Sequence, residues 1–302
     1  MKSLKFQYTW EQMKRNWFFY VLLLPFLLMF IIFKFIPVAS AVVLSFTDFN
    51  LVQIPDFVGL SNYARLLFSD DIFMVSFKNT MVFAIITGPV GYILSFVLAW
   101  LINNFGRRTR SLLTFFIYSP TLSGNMMFIW AYIFAADSRG LLNTLLLRLN
   151  VVSSPIAWLT DTKYNFVIVI IVTIWMSFGA GFLSFVAGLQ SLDPVYYEAA
   201  SIDGLKNRWQ ELVYVTFPQM GPQLLFGAVN SISGAFAIGA TASALTGNPS
   251  TDYSTHTIIL HMADYSGTRY ELGYASAIAV VLFALMLVAW VLVNRILRQF
   301  ND

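Results

Sequence analysis

Long apolar runs, separated by polar stretches, dominate this sequence. A helix that crosses a bilayer needs about 20 predominantly apolar residues, and six runs reach that length. They cover approximately residues 17–36, 79–102, 111–136, 165–189, 220–245 and 272–294. The pattern predicts an all-α, polytopic membrane protein with six transmembrane helices, built as one transmembrane domain over residues 1–302.

The first run resembles a signal peptide, because basic residues precede it. Its apolar stretch is longer than the roughly 7–15 residues of a signal-peptide core, so we expect an uncleaved anchor helix. Lys34 is the only charged residue inside the predicted spans. Since a lysine can reach the interface from near a helix end, we interpret Lys34 as marking the boundary of the span. A functional charge within the membrane is the alternative.

The composition agrees with a membrane protein and excludes several other classes. Hydrophobic residues make up 58% of the 302-residue chain and charged residues 11%, against about 25% charged residues in soluble domains. The net charge of +3 and the absence of a basic cluster predict no nucleic-acid partner. The chain has no Cys, and His256 and His261 lack the i, i+4 spacing of two ligands on one helix, so we expect no metal site.

The distribution of basic residues predicts the orientation. An even number of spans places both termini on one side, and 11 of the 18 Lys and Arg residues lie in the segments of that side. They are Lys2, Lys5, Lys14, Arg15, Arg107, Arg108, Arg110, Lys206, Arg208, Arg295 and Arg298. Because loops rich in Lys and Arg stay in the cytoplasm, we predict that both termini are cytoplasmic.

The cytoplasmic loop 190–219 between spans four and five carries clear helix signals. Asp193 is suited to cap a helix whose first residue is Pro194, and Gly204 is suited to end it, which predicts a helix over 194–203. Asn207 and Gln210 have capping-box spacing and predict a second short helix that Pro218 ends. Two short helices around a glycine form a knob that can dock into a cleft on another protein.

These residues also match a known family. The run Glu198-Ala199-Ala200, followed by Gly204, resembles the EAA loop of binding-protein-dependent ABC importer permeases. Residues 187–190, 197–204 and 57–63 (Phe-Val-Gly-Leu-Ser-Asn-Tyr) resemble the branch of that family that imports sugars and oligosaccharides. One difference is that Pro218 follows Gly204 by one residue more than is usual, so the extra residue lies in or next to the second short helix.

The resemblance implies the type I ABC importer permease fold and a role in transport rather than catalysis. It implies that Glu198, Ala199, Ala200, Asp203 and Gly204 form the coupling helix that docks on an ATPase. It also implies a second permease, an ATPase dimer and an extracytoplasmic solute-binding protein, in a bacterial or archaeal cytoplasmic membrane. Because the chain has no GxxxxGK[ST] loop, we expect ATP and Mg²⁺ on the ATPase subunits and no cofactor here.

The fifth span is unusually rich in small and polar residues, which favour the interior of a helix bundle. We predict that it lines the translocation path or an interface between permeases; close packing without substrate contact is the alternative. The candidate path residues are Tyr118, Asn125, Trp175, Asn230 and Ser233. The loop 246–271 is predicted to be a docking surface for the solute-binding protein.

Functions of other classes fit less well. A secondary transporter would be expected to show internal repeats and often a mid-span ionisable residue, and an intramembrane enzyme would need a catalytic constellation at membrane depth. The sequence shows neither. A passive channel agrees with the composition but leaves the loop 198–204 without a role.

Overall fold

The computed structural model describes residues 12, 14–122 and 126–298, without the side chains of residues 297 and 298. The described part is helical except for short connections and one isolated bridge between Thr47 and Phe57. Its helices, in chain order, are α1 (Trp17–Leu44), α2 (Ser61–Phe68), α3 (Asp71–Asn103), α4 (Arg107–Leu122), α5 (Met126–Ile133), α6 (Leu141–Arg148), α7 (Asn165–Met176), α8 (Ala180–Ser191), α9 (Pro194–Ile202), α10 (Arg208–Glu211), α11 (Phe217–Gln219), α12 (Gly221–Phe236), α13 (Gly239–Thr246), α14 (Ile258–Gly267) and α15 (Leu272–Arg298).

Five helical stretches of the described chain are long and apolar enough to cross a membrane. They are Trp17–Leu44, Asp71–Asn103, Asn165–Ser191, Gly221–Thr246 and Leu272–Ile296. The second of these begins eight residues before its predicted span, because Asp70 caps it by accepting a hydrogen bond from the Phe73 N–H at 2.9 Å.

The predicted third span, 111–136, is not one continuous helix in the described residues. It corresponds to α4 and α5, whose axes differ by 87° on either side of residues 123–125. The described residues therefore contain six candidate spans if this bent pair counts as one, and five otherwise. The helix α4 continues two residues past the buried Pro120 before it ends.

The helix α3 lies at the centre of the bundle and contacts α7, α8, α12 and α14. Its buried residues recur three or four positions apart, as expected for a helix with one face in the bundle interior. Three phenylalanines on this face, Phe73, Phe83 and Phe96, each belong to a different hydrophobic cluster. The core thus follows α3 from one end of the bundle to the other.

The helix α1 packs differently from the others. Only its last part contacts α15, and no residue of Trp17–Phe30 is buried in this chain. A π turn at Ile31–Phe35 interrupts it and contains Lys34. The helix continues for ten residues beyond Lys34, to Leu44. Because a helix can extend past the hydrocarbon, the interpretation of Lys34 as a boundary marker of the span stays a prediction.

At the bundle end opposite to loop 190–219, a buried polar network joins four helices. The Asp70 carboxylate, whose side chain is 8% exposed, accepts a hydrogen bond from the Tyr274 hydroxyl at 2.7 Å and lies 2.9 Å from His261 Nε2. Arg65 stacks 4.2 Å from the centre of the Tyr274 ring and pairs with Glu271. These contacts hold α2, α14 and the first turns of α3 and α15 together.

This network changes the interpretation of loop 246–271 as a docking surface. His256 and His261 are 3% and 1% exposed, so neither is available to a partner protein. Burial and the neighbouring His261 lower the pKa of His256 to about 4, which keeps its ring neutral at pH 7. No group of three potential metal-binding side chains occurs among the described residues.

We expect Asp70→Ala to lower the free energy of unfolding by about 2–3 kcal/mol, because it leaves several buried donors unpaired. Burial alone would raise the pKa of the Asp70 carboxyl. Hydrogen bonds from the Tyr274 hydroxyl, the Phe73 N–H and His261 outweigh burial and hold this pKa below its ordinary value of 3.8. The carboxylate therefore stabilises the fold above pH 3.8, and its contribution is lost as the pH falls through the lower folded value.

Thermal unfolding in detergent, measured between pH 7 and pH 3, tests this prediction. Asp71→Ala is the matched control, because Asp71 is the next residue and is exposed. Equal stability of the two variants at pH 7 would contradict the prediction.

Candidate functional site

The loop between α8 and α12 folds into a helical knob, and its first helix is fixed at both ends. The Asp193 carboxylate accepts a hydrogen bond from the Val195 N–H at 3.0 Å, which starts α9 at Pro194. Gly204 has a φ of +96°, a conformation that other residues rarely adopt, and the Leu205 N–H closes the end on the Ala200 carbonyl at 3.1 Å. Helix α9 thus covers 194–202, close to the predicted 194–203.

The second helix of the knob follows the sequence prediction at its start. Asn207 accepts a hydrogen bond from the Gln210 N–H, and the Gln210 side chain accepts one from the Lys206 N–H, both at 2.9 Å. In a standard capping box the second hydrogen bond comes from the N–H of the capping residue itself, which here is Asn207. In this chain it comes from the N–H of Lys206, one residue earlier.

The prediction that Pro218 ends this helix is wrong. After α10, a π turn at Leu212–Thr216 leads directly into α11, and Pro218 lies near the start of that turn of helix. Proline has no backbone N–H, and the first residues of a helix do not need one for a hydrogen bond within the helix. Pro218 is therefore accommodated at the start of α11. This π turn, which contains more residues than an α turn, lies between Gly204 and Pro218.

The helix α9 has an exposed apolar stripe. Val195, Ala199 and Ile202 are spaced i, i+4, i+7 and are all exposed, Ile202 at 86%. Glu198 and Asp203 are exposed beside the stripe. An exposed apolar surface with a polar border is typical of a protein-binding site.

The predicted coupling residues divide between two faces of α9. Ala199 faces outward, whereas Ala200 is 9% exposed and packs against this chain itself. Glu198 also lines a cavity of about 540 Å³ under the knob, together with Arg110, Arg208 and Glu211. Asn104 lines it too, so the loop between α3 and α4 and the first turns of α4 lie next to the knob.

A second cavity, of about 260 Å³, lies inside the bundle between α3, α7, α8, α12 and α13. Its polar lining consists of hydroxyl groups and one amide: Thr87, Ser95, Thr173, Ser177, Asn230, Ser231 and Thr241. The Thr173 hydroxyl is buried and has no hydrogen-bond partner. Glycines at 179, 181 and 234 complete the wall and leave space beside these groups.

Of the five predicted path residues, Asn230 lines this cavity. Tyr118 packs against the cluster around Phe185, Trp175 contacts Trp130 edge-on at 5.2 Å between ring centres, and Ser233 is exposed on α12. Asn125 lies outside the described residues.

The sequence prediction missed the other six polar residues of this lining, which are Thr87, Ser95, Thr173, Ser177, Ser231 and Thr241. The eight-residue separation of Thr87 and Ser95 puts both on the inner face of α3, a periodic signal that was available in the sequence. Thr173 lies on another helix, so only the packing of α7 against α3 brings it to the same cavity.

Comparison with known proteins identifies the family. Residues 91–301 match the family model described as "binding-protein-dependent transport system inner membrane component". The chain is a member of this family. It is therefore a membrane-embedded permease component of an ABC transporter and not an enzyme.

Named relatives and a solved structure agree. The permease is 27% identical over 284 residues to the arabinooligosaccharides transport system permease protein AraP of Bacillus subtilis, covering 93% of this chain and 89% of that one. It is 30% identical over 205 residues to the lactose transport system permease protein LacF of Rhizobium radiobacter, covering 67% of each.

The solved structure is a bacterial alginate ABC transporter in complex with alginate pentasaccharide-bound periplasmic protein. It matches with a TM-score of 0.78 at 22% identity, over 97% of this chain and 98% of that one. The permease therefore has the fold of an ABC importer permease, as predicted from its sequence.

Proposed function

We propose that this chain is the membrane-spanning permease subunit of an ATP-driven importer of a sugar or oligosaccharide. The observation that carries the proposal is the knob helix α9, which is fixed at both ends and presents an apolar stripe beside the Glu198 carboxylate. Such a helix fits a groove on a partner protein. The relatives named for lactose and arabinooligosaccharides support a sugar as the substrate.

The partners are assigned from the family and from the knob. A pair of ATPase subunits holds ATP and Mg²⁺ and receives α9, with Glu198, Ala199 and Asp203 in the contact. Ala200 packs this coupling helix against the chain itself, and Gly204 ends the helix at the exposed turn. A second permease completes the membrane part, lipid surrounds the pair, and a solute-binding protein delivers the sugar to the opposite face. Both termini lie in the cytoplasm, on the side of the basic loops.

The polar cavity inside the bundle is one half of the translocation path in this proposal. Its hydroxyl and amide groups can exchange hydrogen bonds with sugar hydroxyls as water leaves. Closure of the ATPase pair moves α9, and the two permeases then switch between inward-facing and outward-facing states as rigid bodies.

The path assignment predicts the effect of filling the cavity. Gly234 lines the cavity, and a Cβ at this position meets no atom within 4 Å. The ring of Gly234→Phe therefore has room to enter the cavity. We expect uptake to fall more than about tenfold, because the conformation that passes the sugar is no longer available. Val229→Phe is the matched control, because Val229 is on the same helix, is exposed and lies outside the lining. Radiolabelled sugar uptake in cells, with protein amount measured by immunoblot, checks this. Equal uptake by both variants would place the path elsewhere.

The function itself is tested by purifying the tagged chain from its native membrane in mild detergent. A second permease and an ATPase at stoichiometric levels are the expected result. A chain that purifies alone or as a homo-oligomer in several detergents would instead indicate a secondary transporter or a channel.

A further inference from the structure

One side-chain contact joins the knob helix α9 to the segment that leads into the cavity helix α12. The Tyr197 hydroxyl lies 2.9 Å from the Thr216 hydroxyl, which is 2% exposed and also donates to the Glu211 carbonyl at 3.3 Å. Either hydroxyl can be the donor in the Tyr197–Thr216 contact. The two residues are 19 positions apart, so the contact depends on the folded knob.

The two ends of this contact belong to different functional parts. Tyr197 is next to Glu198 and faces inward on the same side of α9 as the buried Ala200, three residues on. Thr216 is the last residue of the π turn, and its carbonyl accepts the Met220 N–H at 3.0 Å, just before α12 begins. Helix α12 in turn contributes Asn230, Ser231 and Gly234 to the cavity wall.

The π turn gives this contact a mechanical role. π turns are rare, hold less regular hydrogen bonds than α turns and often occur at functional sites. A force on α9 reaches α12 through residues 203–220 of the main chain, through the packing of α9 on the π turn, or through the hydroxyl pair. The hydroxyl pair is a directed contact that bypasses the turn at Gly204, where φ is +96°.

We infer that Tyr197 and Thr216 are positioning residues that transmit the movement of α9 to the cavity helix α12, so that ATP hydrolysis and sugar movement stay coupled. The inference rests on the proposed function and adds to it the residues that connect the knob helix α9 with the polar cavity. Neither residue needs to touch the ATPase or the sugar for this role.

The test measures sugar molecules transported per ATP hydrolysed, in the complete importer reconstituted in vesicles with its binding protein. We expect Tyr197→Phe and Thr216→Val each to lower this ratio about threefold to tenfold, the scale of one hydrogen bond. The double variant should be no worse than either single one, because both remove the same contact. Thr216→Ser should keep the wild-type ratio, since it restores the hydroxyl.

Tyr196→Phe is the matched control, because Tyr196 is the adjacent tyrosine and is 50% exposed. A wild-type ratio in Tyr197→Phe, or a multiplicative loss in the double variant, would overturn the inference. So would a variant that loses the co-purifying ATPase, because Tyr197 would then act in docking. If the wild-type chain purifies without any ATPase, the proposed function fails instead, and the two failures are therefore distinguishable.

Discussion

Glu198→Lys will abolish sugar uptake and release the ATPase, while the protein stays in the membrane at its normal level. Glu198 is exposed on α9 beside the apolar stripe, so the substitution costs little folding stability, within about 0.5 kcal/mol. In the proposed complex, the substitution puts a positive charge where the partner surface is expected to receive a carboxylate. Like charges at an interface cost several kcal/mol, roughly a hundredfold or more in affinity.

The measurement is the amount of ATPase that co-purifies with the tagged variant, together with uptake in cells. Asp56→Lys is the matched control, since Asp56 is an exposed carboxylate at the opposite end of the bundle and the charge change is the same. Normal ATPase retention by Glu198→Lys would contradict the assignment of α9 as the docking helix.

Gly204→Pro acts on the same site by a different mechanism. Gly204 has a φ of +96° and its N–H donates to the Ser201 carbonyl at 3.3 Å, and proline permits neither. The end of α9 must then rearrange, so we expect the same loss of uptake without a change of charge. Gly106→Ala, in the other loop at that end, has open space around the new Cβ and should be neutral.

The second large effect is expected at Gly227, where α12 packs against α8. A Cβ at this position would overlap the ring of Phe185, which is 1% exposed and held edge-on between Tyr92 and Phe96 at 5.4 and 5.5 Å. Because the ring cannot move aside, Gly227→Ala should cost about 1–3 kcal/mol, and Gly227→Val more.

Thermal unfolding in detergent measures this cost. Gly234→Ala is the matched control, seven residues along the same face of the same helix, where the new Cβ meets no atom within 4 Å. The ΔTm should therefore separate the two variants clearly. Equal Tm values would mean that α8 and α12 pack less closely than described.

Local signals in the sequence predicted the knob well. The start of α9 depends on Asp193 and Pro194, and its end on Gly204, all within a few residues of the helix they define. Apolar run length located the spans, but α3 is longer than its predicted span, since a helix can continue through polar residues such as Asp71 and Lys78 once it leaves the hydrocarbon.

The errors arose where neighbouring helices decide the backbone. Pro218 is a helix breaker by itself, yet the π turn before it lets the helical path continue. Ala200 was grouped with the residues that dock on a partner, and His261 lies in the loop predicted to be a docking surface. Tertiary packing buries both side chains.

The sequence by itself determined the class of the protein, the approximate spans and the form of the knob, because hydrophobic run length and helix capping act over a few residues. Only the tertiary structure decided which hydroxyl groups meet in the cavity, which face of α9 is free, and that Tyr197 reaches Thr216. These features join residues from different helices, and their meeting depends on the angles and rotations at which the helices pack.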